Sequence, residues 1–456
     1  MARRFEALYS AAEMRTAEEA FPGYPGSIPE LMERAGTAVA AEAMRAFPDA
    51  RSFACVCGGG SNGGDGRVAA RVLRDAGHVA DETTDGLDGY DVVVDALFGT
   101  GFHGEPRPEA AELIDRINAS EARVVSVDMP SGVDASTGEV AGAAVEADLT
   151  VTFHAPKVGL AVAPGRFLAG EVVVVDIGLD DTETTARRAL PSLLDLVPRR
   201  SVRDTKYTSG SVLVVGGQTG TTSAACLAAM AALRADAGYA TLAVPRGALA
   251  AAEALALEPV KLGWSDDDAL RVLREAAERA TALAIGPGLG RSDARRTLVR
   301  ELLSSLDLPA VVDADALFGL EPFERSAATV LTPHAGELGR LIERDSSWVA
   351  AHRLQAVRTA AERFGVVVLL KGADTLVASP GGDVVVCDQA PPGLATAGTG
   401  DVLTGVIGAF LSKGLDAVTA ASAAAVAHGR AGALVEHQAG LVAGDLLRTL
   451  PAALDS

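Results

Sequence analysis

Short aliphatic runs recur along this chain, and most of them stop at a cluster of glycine and acidic residues. Ser52 to Cys57 runs into Gly58-Gly59-Gly60-Ser61-Asn62-Gly63-Gly64-Asp65-Gly66. Asp91-Val-Val-Val-Asp95-Ala-Leu-Phe98 ends in Gly99-Thr100-Gly101-Phe102-His103-Gly104-Glu105, and Arg123 to Asp128 ends in Met129-Pro130-Ser131-Gly132. Runs that are apolar throughout, without an alternating polar face, belong to parallel strands covered on both sides. Helical patterns between them complete an α/β, doubly wound architecture of three layers. Composition agrees: 48% hydrophobic residues with 4% aromatics and 49 glycines describe a core of Ala, Val and Leu joined by tight turns. In such a sheet ligands bind beyond the carboxyl ends of the strands. Asn62, Asp95, Asp128 and Ser131 all fall there.

The chain is too long, at 456 residues, for one ordinary domain. Between Asp180 and Arg203 it turns acidic and Thr-rich, then carries Pro191, Pro198 and Arg199-Arg200. This predicts domains at 1–190 and 206–456 around a linker at 191–205, in which Leu190 to Val197 can pack as a short helix or strand. A net charge of −20 opposes nucleic acid as a general partner. A nucleotide is still admissible, since it needs only a nest of N–H groups and one or two cations. Cys55, Cys57, Cys226 and Cys387 make no metal-ligand spacing and read as reduced core residues, which points to the cytoplasm. The first residues lack a signal-peptide core and no run reaches membrane-spanning length, so no membrane partner is expected.

In the first half, a glycine loop between strand and helix is a phosphate-binding arrangement. Gly58, Gly60 and Gly63 satisfy the dinucleotide spacing, with Asp81 and Glu82 where a ribose partner would fall. In a chain this rich in glycine that match is weak. Singly, each aspartate at a strand end is more often a turn pin or a cap; together at one sheet edge they point to a site. Oxygen groups of this kind suit a hard cation better than zinc.

The second half opens at Lys206-Tyr207-Thr208-Ser209-Gly210 and runs through Gly286-Pro-Gly-Leu-Gly290, Asp313-Ala-Asp315, Thr332-Pro-His334-Ala-Gly336-Glu337 and Lys371-Gly372-Ala373-Asp374-Thr375. It ends on Ala397-Gly398-Thr399-Gly400-Asp401, with an apolar helix expected from Val402 to Leu411. Unpaired N–H groups at a helix start hold phosphate. A carboxylate beside them is badly placed for charge balance and well placed to take a proton from an attacking hydroxyl. The plainer alternative makes Asp401 an N-cap.

With these motifs in order, the whole chain resembles the bifunctional NAD(P)H-hydrate repair enzymes. The resemblance implies an NAD(P)HX epimerase domain followed by a ribokinase-like NAD(P)HX dehydratase domain. It implies epimerisation of the R and S hydrates and ADP- or ATP-dependent dehydration of the S form. Carried over, Asn62, Asp95 and Ser131 hold a potassium ion. Ser61, Asn62, Gly63, Gly64, Asp65, Gly99, Thr100, Gly101, Phe102, His103, Gly104, Glu105 and Asp128 contact the hydrated nucleotide. In the second domain Lys371, Gly372, Ala373, Asp374, Thr375 and Gly400 hold the adenine nucleotide with Mg2+. Ala224, Gly290, His334 and Asp401 contact the hydrate. Asp401 is the expected catalytic base, and Asp128 the acid/base of the epimerase. An assembly of identical chains is expected. Two departures stand out: Ser61 replaces a usual Asn, and the loop from Gly217 to Ala225 differs from its usual form. Three rivals remain at this level: a hydride-transferring dehydrogenase, a small-metabolite kinase of ribokinase type, and a non-enzymatic scaffold.

Overall fold

A computed structural model describes residues 3–455. The chain divides into two compact units, Ala7–Arg187 with Ala350–Arg353, and the remainder.

In the first unit six parallel strands lie in the order Val79–Glu82, Ser52–Cys57, Val92–Ala96, Arg123–Val127, Leu149–Phe153, Glu171–Val175. Chain order reverses between Ser52–Cys57 and Val92–Ala96. The crevice beyond their carboxyl ends is therefore the switch point of this sheet. Phe53 to Val56 and Val92 to Ala96 are buried, as covered parallel strands require. The helix Ser61–Asp75 begins inside the glycine stretch. Gly63 permits this, because a Cβ there would overlap the Gly58 carbonyl.

The second unit carries the order Val260–Trp264, Tyr239–Pro245, Ser211–Val215, Ala282–Ile285, Ala310–Val312, Thr329–Leu331, Val367–Leu370, Thr375–Ala378, Val384–Cys387. The first seven are parallel and the last two return antiparallel. Here the switch point lies between Ser211–Val215 and Ala282–Ile285. The loops beyond them are tied by Gly217 N to Pro287 O (2.9 Å) and Gln218 N to Gly288 O (2.7 Å).

The helix Thr399–Ser412 lies in the interior of this unit. Every residue from Val402 to Ser412 is buried, so only its first turn is accessible. A helix apolar all round is a core helix, and small residues on the helix Thr222–Arg234 let the two pack closely. It starts three residues earlier than the expected Val402. Its N-cap is Gly398, in the left-handed region at φ +91. Asp401 is the third helical residue and makes no capping hydrogen bond, which removes the N-cap alternative.

The segment 191–205 is not a free connection throughout. Pro191–Leu196 forms a 3-10 helix, and Leu193, Leu194 and Val197 enter the second unit's core. Leu193 is completely buried, so Leu193→Ala is expected to cost about 2–5 kcal/mol of stability. Urea unfolding reads this directly; a change within ~0.5 kcal/mol, the range of surface substitutions, would mean the segment only tethers.

Candidate active sites

At the first switch point lies a cavity of about 600 Å³. Ser61, Asn62 and Asp65 come to it from the first turns of their helix, Gly99 to His103 from the loop after Val92–Ala96, and Asp128 from the end of Arg123–Val127. Gly63, Gly64, Gly104 and Glu105, expected to touch the same ligand, are not among its lining residues. Phe98 and Phe102 stack with ring centroids 4.8 Å apart and stiffen the second loop.

Asp128 occupies a left-handed backbone conformation, φ +67, which a non-glycine residue adopts at a cost and which gathers at functional sites. Its Oδ2 accepts from Thr100 N at 3.2 Å and its Oδ1 from Thr152 Oγ1 at 3.1 Å. Lys157, completely buried, places Nζ 2.8 Å from Oδ1. That ammonium also donates to Thr152 Oγ1 and to the Phe153 carbonyl, so all three of its donors are used. No role follows for Lys157 from the motifs. One signal exists: it is the only lysine before Lys206 in a chain whose basic residues are nearly all arginine.

Two further carboxyl groups share this cavity. Burial, then the charge of Asp128, then that of Glu18 push Asp65 up to about 8. Burial and Asp128 also raise Glu18, which arrives from the helix Ala11–Ala20. Asp95 and Ser131 lie apart from the cavity lining. Asp95 is fully buried and accepts from Ser126 Oγ (2.9 Å), Ser131 N (2.9 Å), Ser131 Oγ (2.6 Å) and Leu97 N (3.3 Å). Burial raises its pKa against the pull of these donors. Asp81 and Glu82 face other partners: Asp81 accepts from Tyr90 OH, and Glu82 lies near Arg67 and Arg74.

In the second unit Asp313, at the end of Ala310–Val312, is the hub. Lys371 Nζ lies 2.7 Å from Oδ1, and Thr404 Oγ1 donates to Oδ2 at 2.6 Å. Thr404 stands one turn along the helix that carries Asp401. Lys371 also comes within 4.0 Å of Glu337. A Cβ on Gly400 would sit 3.5 Å from Lys371 Nζ, so the ammonium lies beside the helix start. Burial and Asp313 lead the causes that push Asp401 up to about 7, with Lys371 opposing them. For Lys371 burial acts downward, and Asp313, Glu337 and Asp401 outweigh it to raise the ammonium.

His334 caps its helix: Gly336 N donates to Nδ1 at 3.0 Å, and Glu337 Oε2 accepts from His334 N. The acceptor role of Nδ1 leaves the proton on Nε2. Gly290 N donates to Asp315 Oδ2 at 2.9 Å, fixing the second glycine loop. Thr375 Oγ1 bonds back to Gly372 O within the turn after Val367–Leu370, while Gly372 and Ala373 are exposed. His428, missed in the sequence, is buried with Nε2 2.9 Å from the Thr399 carbonyl; burial drives it down to about 4, so it is neutral there.

Two families of sequence match this chain: "YjeF-related protein N-terminus" over residues 29–83 and 77–159, and "NAD(P)H-hydrate dehydratase" over 212–452. The bifunctional NAD(P)H-hydrate repair enzyme Nnr of Moorella thermoacetica is 39% identical, over 92% of this chain and 91% of that one. The chain belongs to the bifunctional NAD(P)H-hydrate repair enzymes. The Escherichia coli member is 34% identical, over 92% of this chain and 88% of its own. Among solved structures, the ADP/ATP-dependent NAD(P)H-hydrate dehydratase of Bacillus subtilis, co-crystallised with ATP/Mg2+, is 28% identical. It aligns with a TM-score of 0.53 over 58% of this chain and 95% of that one. A ribokinase-like superfamily protein of Enterococcus faecalis, 22% identical with a TM-score of 0.54 over 60% of this chain and 98% of its own, shares the fold.

The Lys157–Asp128 pair is buried in a site short of cations. Lys157→Met should therefore destabilise the chain by roughly 3–5 kcal/mol, the cost of stranding one charge of a buried pair. Denaturant unfolding at neutral pH measures it, and an unchanged midpoint would contradict the pairing.

Proposed function

We infer that this chain repairs hydrated NADH and NADPH, its first unit interconverting the R and S hydrates and its second dehydrating the S form with ADP or ATP. The observation that carries the dehydratase reading is Asp401. It is a carboxyl on the accessible first turn of an otherwise buried helix, beside Lys371 and the Asp313 hub. The hydrate bears a hydroxyl on its reduced ring, and hydroxide leaves poorly. Asp401 takes that hydroxyl proton as the oxygen attacks the terminal phosphorus of the nucleotide. The N–H groups of Gly398 to Gly400 stabilise the group in transfer. The ring nitrogen's lone pair then expels phosphate, and loss of a proton from the neighbouring carbon restores the dihydropyridine. Lys371 to Thr375 and Gly400 hold the nucleotide, which enters with Mg2+ as in the Bacillus subtilis dehydratase. Ala224, Gly290 and His334 contact the hydrate.

In the first unit Asp128 serves as the acid/base beside the hydroxyl-bearing carbon, and Lys157 supplies the compensating charge. Its surroundings also fit a monovalent cation. Asp95 is a buried carboxylate with no basic side chain paired to it among the described residues. The Asn62 side-chain nitrogen is buried without a partner, and turning that amide over presents an oxygen instead. In this reading the donor set is a single carboxylate with neutral oxygens, which suits a monovalent cation. Asn62, Asp95 and Ser131 would hold potassium, which anchors the two loops around the cavity.

Asp401→Asn should bind nucleotide yet lose ~100- to 10,000-fold in nucleotide-dependent repair. A base must be ionised, so the wild-type rate should rise as pH increases through about 7, where burial has moved Asp401. The variant should lose that limb; near-normal turnover in it would remove Asp401 from the mechanism. Asp128→Ala should restore about half of an equal epimer mixture at the normal rate and the rest only as fast as the hydrates epimerise unaided. A single fast phase over the whole mixture would discard Asp128 as the acid/base. Exchange of potassium for a poorly fitting cation should give a milder form of the same two phases.

A further inference from the structure

We propose that Asp65 is a second catalytic group of the epimerase, the acid that protonates the departing hydroxyl, working opposite Asp128 and its Lys157 partner. This rests on the epimerase reading of the first unit and adds to it. Asp65 stands on the second turn of the helix Ser61–Asp75, whereas Asp128 ends a strand, so two separate elements bring carboxyl groups to one cavity. Their environments differ. Asp128 is held by Lys157, Thr152 and Thr100. Asp65 has no hydrogen-bond or ion-pair partner of its own among the described residues and opens onto the cavity.

Inversion at one carbon requires chemistry on two faces of the ring. The hydroxyl leaves from one and water returns on the other, and one carboxyl cannot serve both. The carbon that bears the hydroxyl is bonded to the ring nitrogen. Asp65 donates its proton to the hydroxyl oxygen, the carbon–oxygen bond breaks, and water departs with the bonding pair. The nitrogen lone pair closes a carbon–nitrogen double bond, giving a planar cation. Water then adds to the opposite face, the double-bond pair returns to nitrogen, and the water's proton passes to the Asp128 carboxylate. Solvent in the open cavity carries that proton back to Asp65. No oxidant or co-reactant is required.

The protonation state supports these roles. A carboxyl held protonated at neutral pH can act as the acid. Asp65 is raised to about 8 by burial, Asp128 and Glu18, and is protonated at neutral pH. The charged and titratable groups that face it are Glu18 and Arg15 from the helix Ala11–Ala20, Asp128 with Lys157 from the sheet edge, and His103 from the facing loop.

The test uses the full chain and the hydrate epimer that the dehydratase rejects, with ADP or ATP present in excess. Asp65→Asn should lose ~100- to 10,000-fold in conversion of that epimer while dehydrating the accepted epimer at the wild-type rate, which shows the chain is folded. Wild-type epimerisation should fall as pH rises through about 8, where Asp65 loses its proton. Glu18→Gln removes one neighbouring negative charge and should move that limb to lower pH. Near-normal epimerisation by Asp65→Asn overturns the proposal. If Asp65→Asn loses both activities, Glu18→Gln decides: a limb that stays in place overturns it and a limb that moves supports it. A wild-type chain that dehydrates but never epimerises would instead overturn the epimerase reading itself.

Discussion

Buried carboxylates outnumber the cations available to them at both sheet edges, and the chemistry of each unit follows from that shortage. In the first unit Glu18, Asp65, Asp95 and Asp128 are drawn into or beside one crevice, and the buried cation paired there is Lys157. In the second, Asp313, Glu337 and Asp401 surround Lys371. A charge removed from water must be paired, hydrogen-bonded or neutralised by a proton. Asp128 and Asp313 take the ammonium groups. Asp95 takes four hydroxyl and amide donors. Asp65 and Asp401 receive neither in full, and their proton affinity rises into the range where proton transfer at neutral pH is efficient.

The fold makes this crowding tolerable. A parallel sheet covered on both faces exposes little but its two ends, and the helix starts facing its carboxyl edge add unpaired N–H groups that attract negative charge. The interior helix Thr399–Ser412 takes this furthest, since its first turn is the one part of it that meets solvent. His428 secures that turn from below through the Thr399 carbonyl, as a neutral side chain that adds no charge.

Much of this was legible in the residues. Apolar runs such as Val92 to Ala96 announced buried parallel strands, and Asp128, at the end of the next run, lines the cavity at the carboxyl edge. What escaped the sequence has physical reasons. The strands Val79–Glu82 and Val260–Trp264 are edge strands with exposed, charged positions, so no continuous apolar run betrays them. Helix starts at Ser61 and Thr399 fall among glycines, which local propensity disfavours and close packing demands. Glu18 precedes the first long strand by more than thirty residues and reaches the cavity only through tertiary packing. Lys157 was visible as a lone lysine, but its partner is set by the curl of backbone at Asp128, which no spacing rule encodes.

The central claim is that one chain returns both hydrate epimers to the reduced cofactor. Its most direct test follows absorbance of the reduced nicotinamide when the purified chain is given a mixture of hydrated NADH epimers, with ADP in one arm and ATP in another. The account predicts complete recovery in at least one arm, with inorganic phosphate released in step and no phosphorylated hydrate left behind. Recovery that stops at the accepted epimer, or a phosphorylated product that persists, would contradict it.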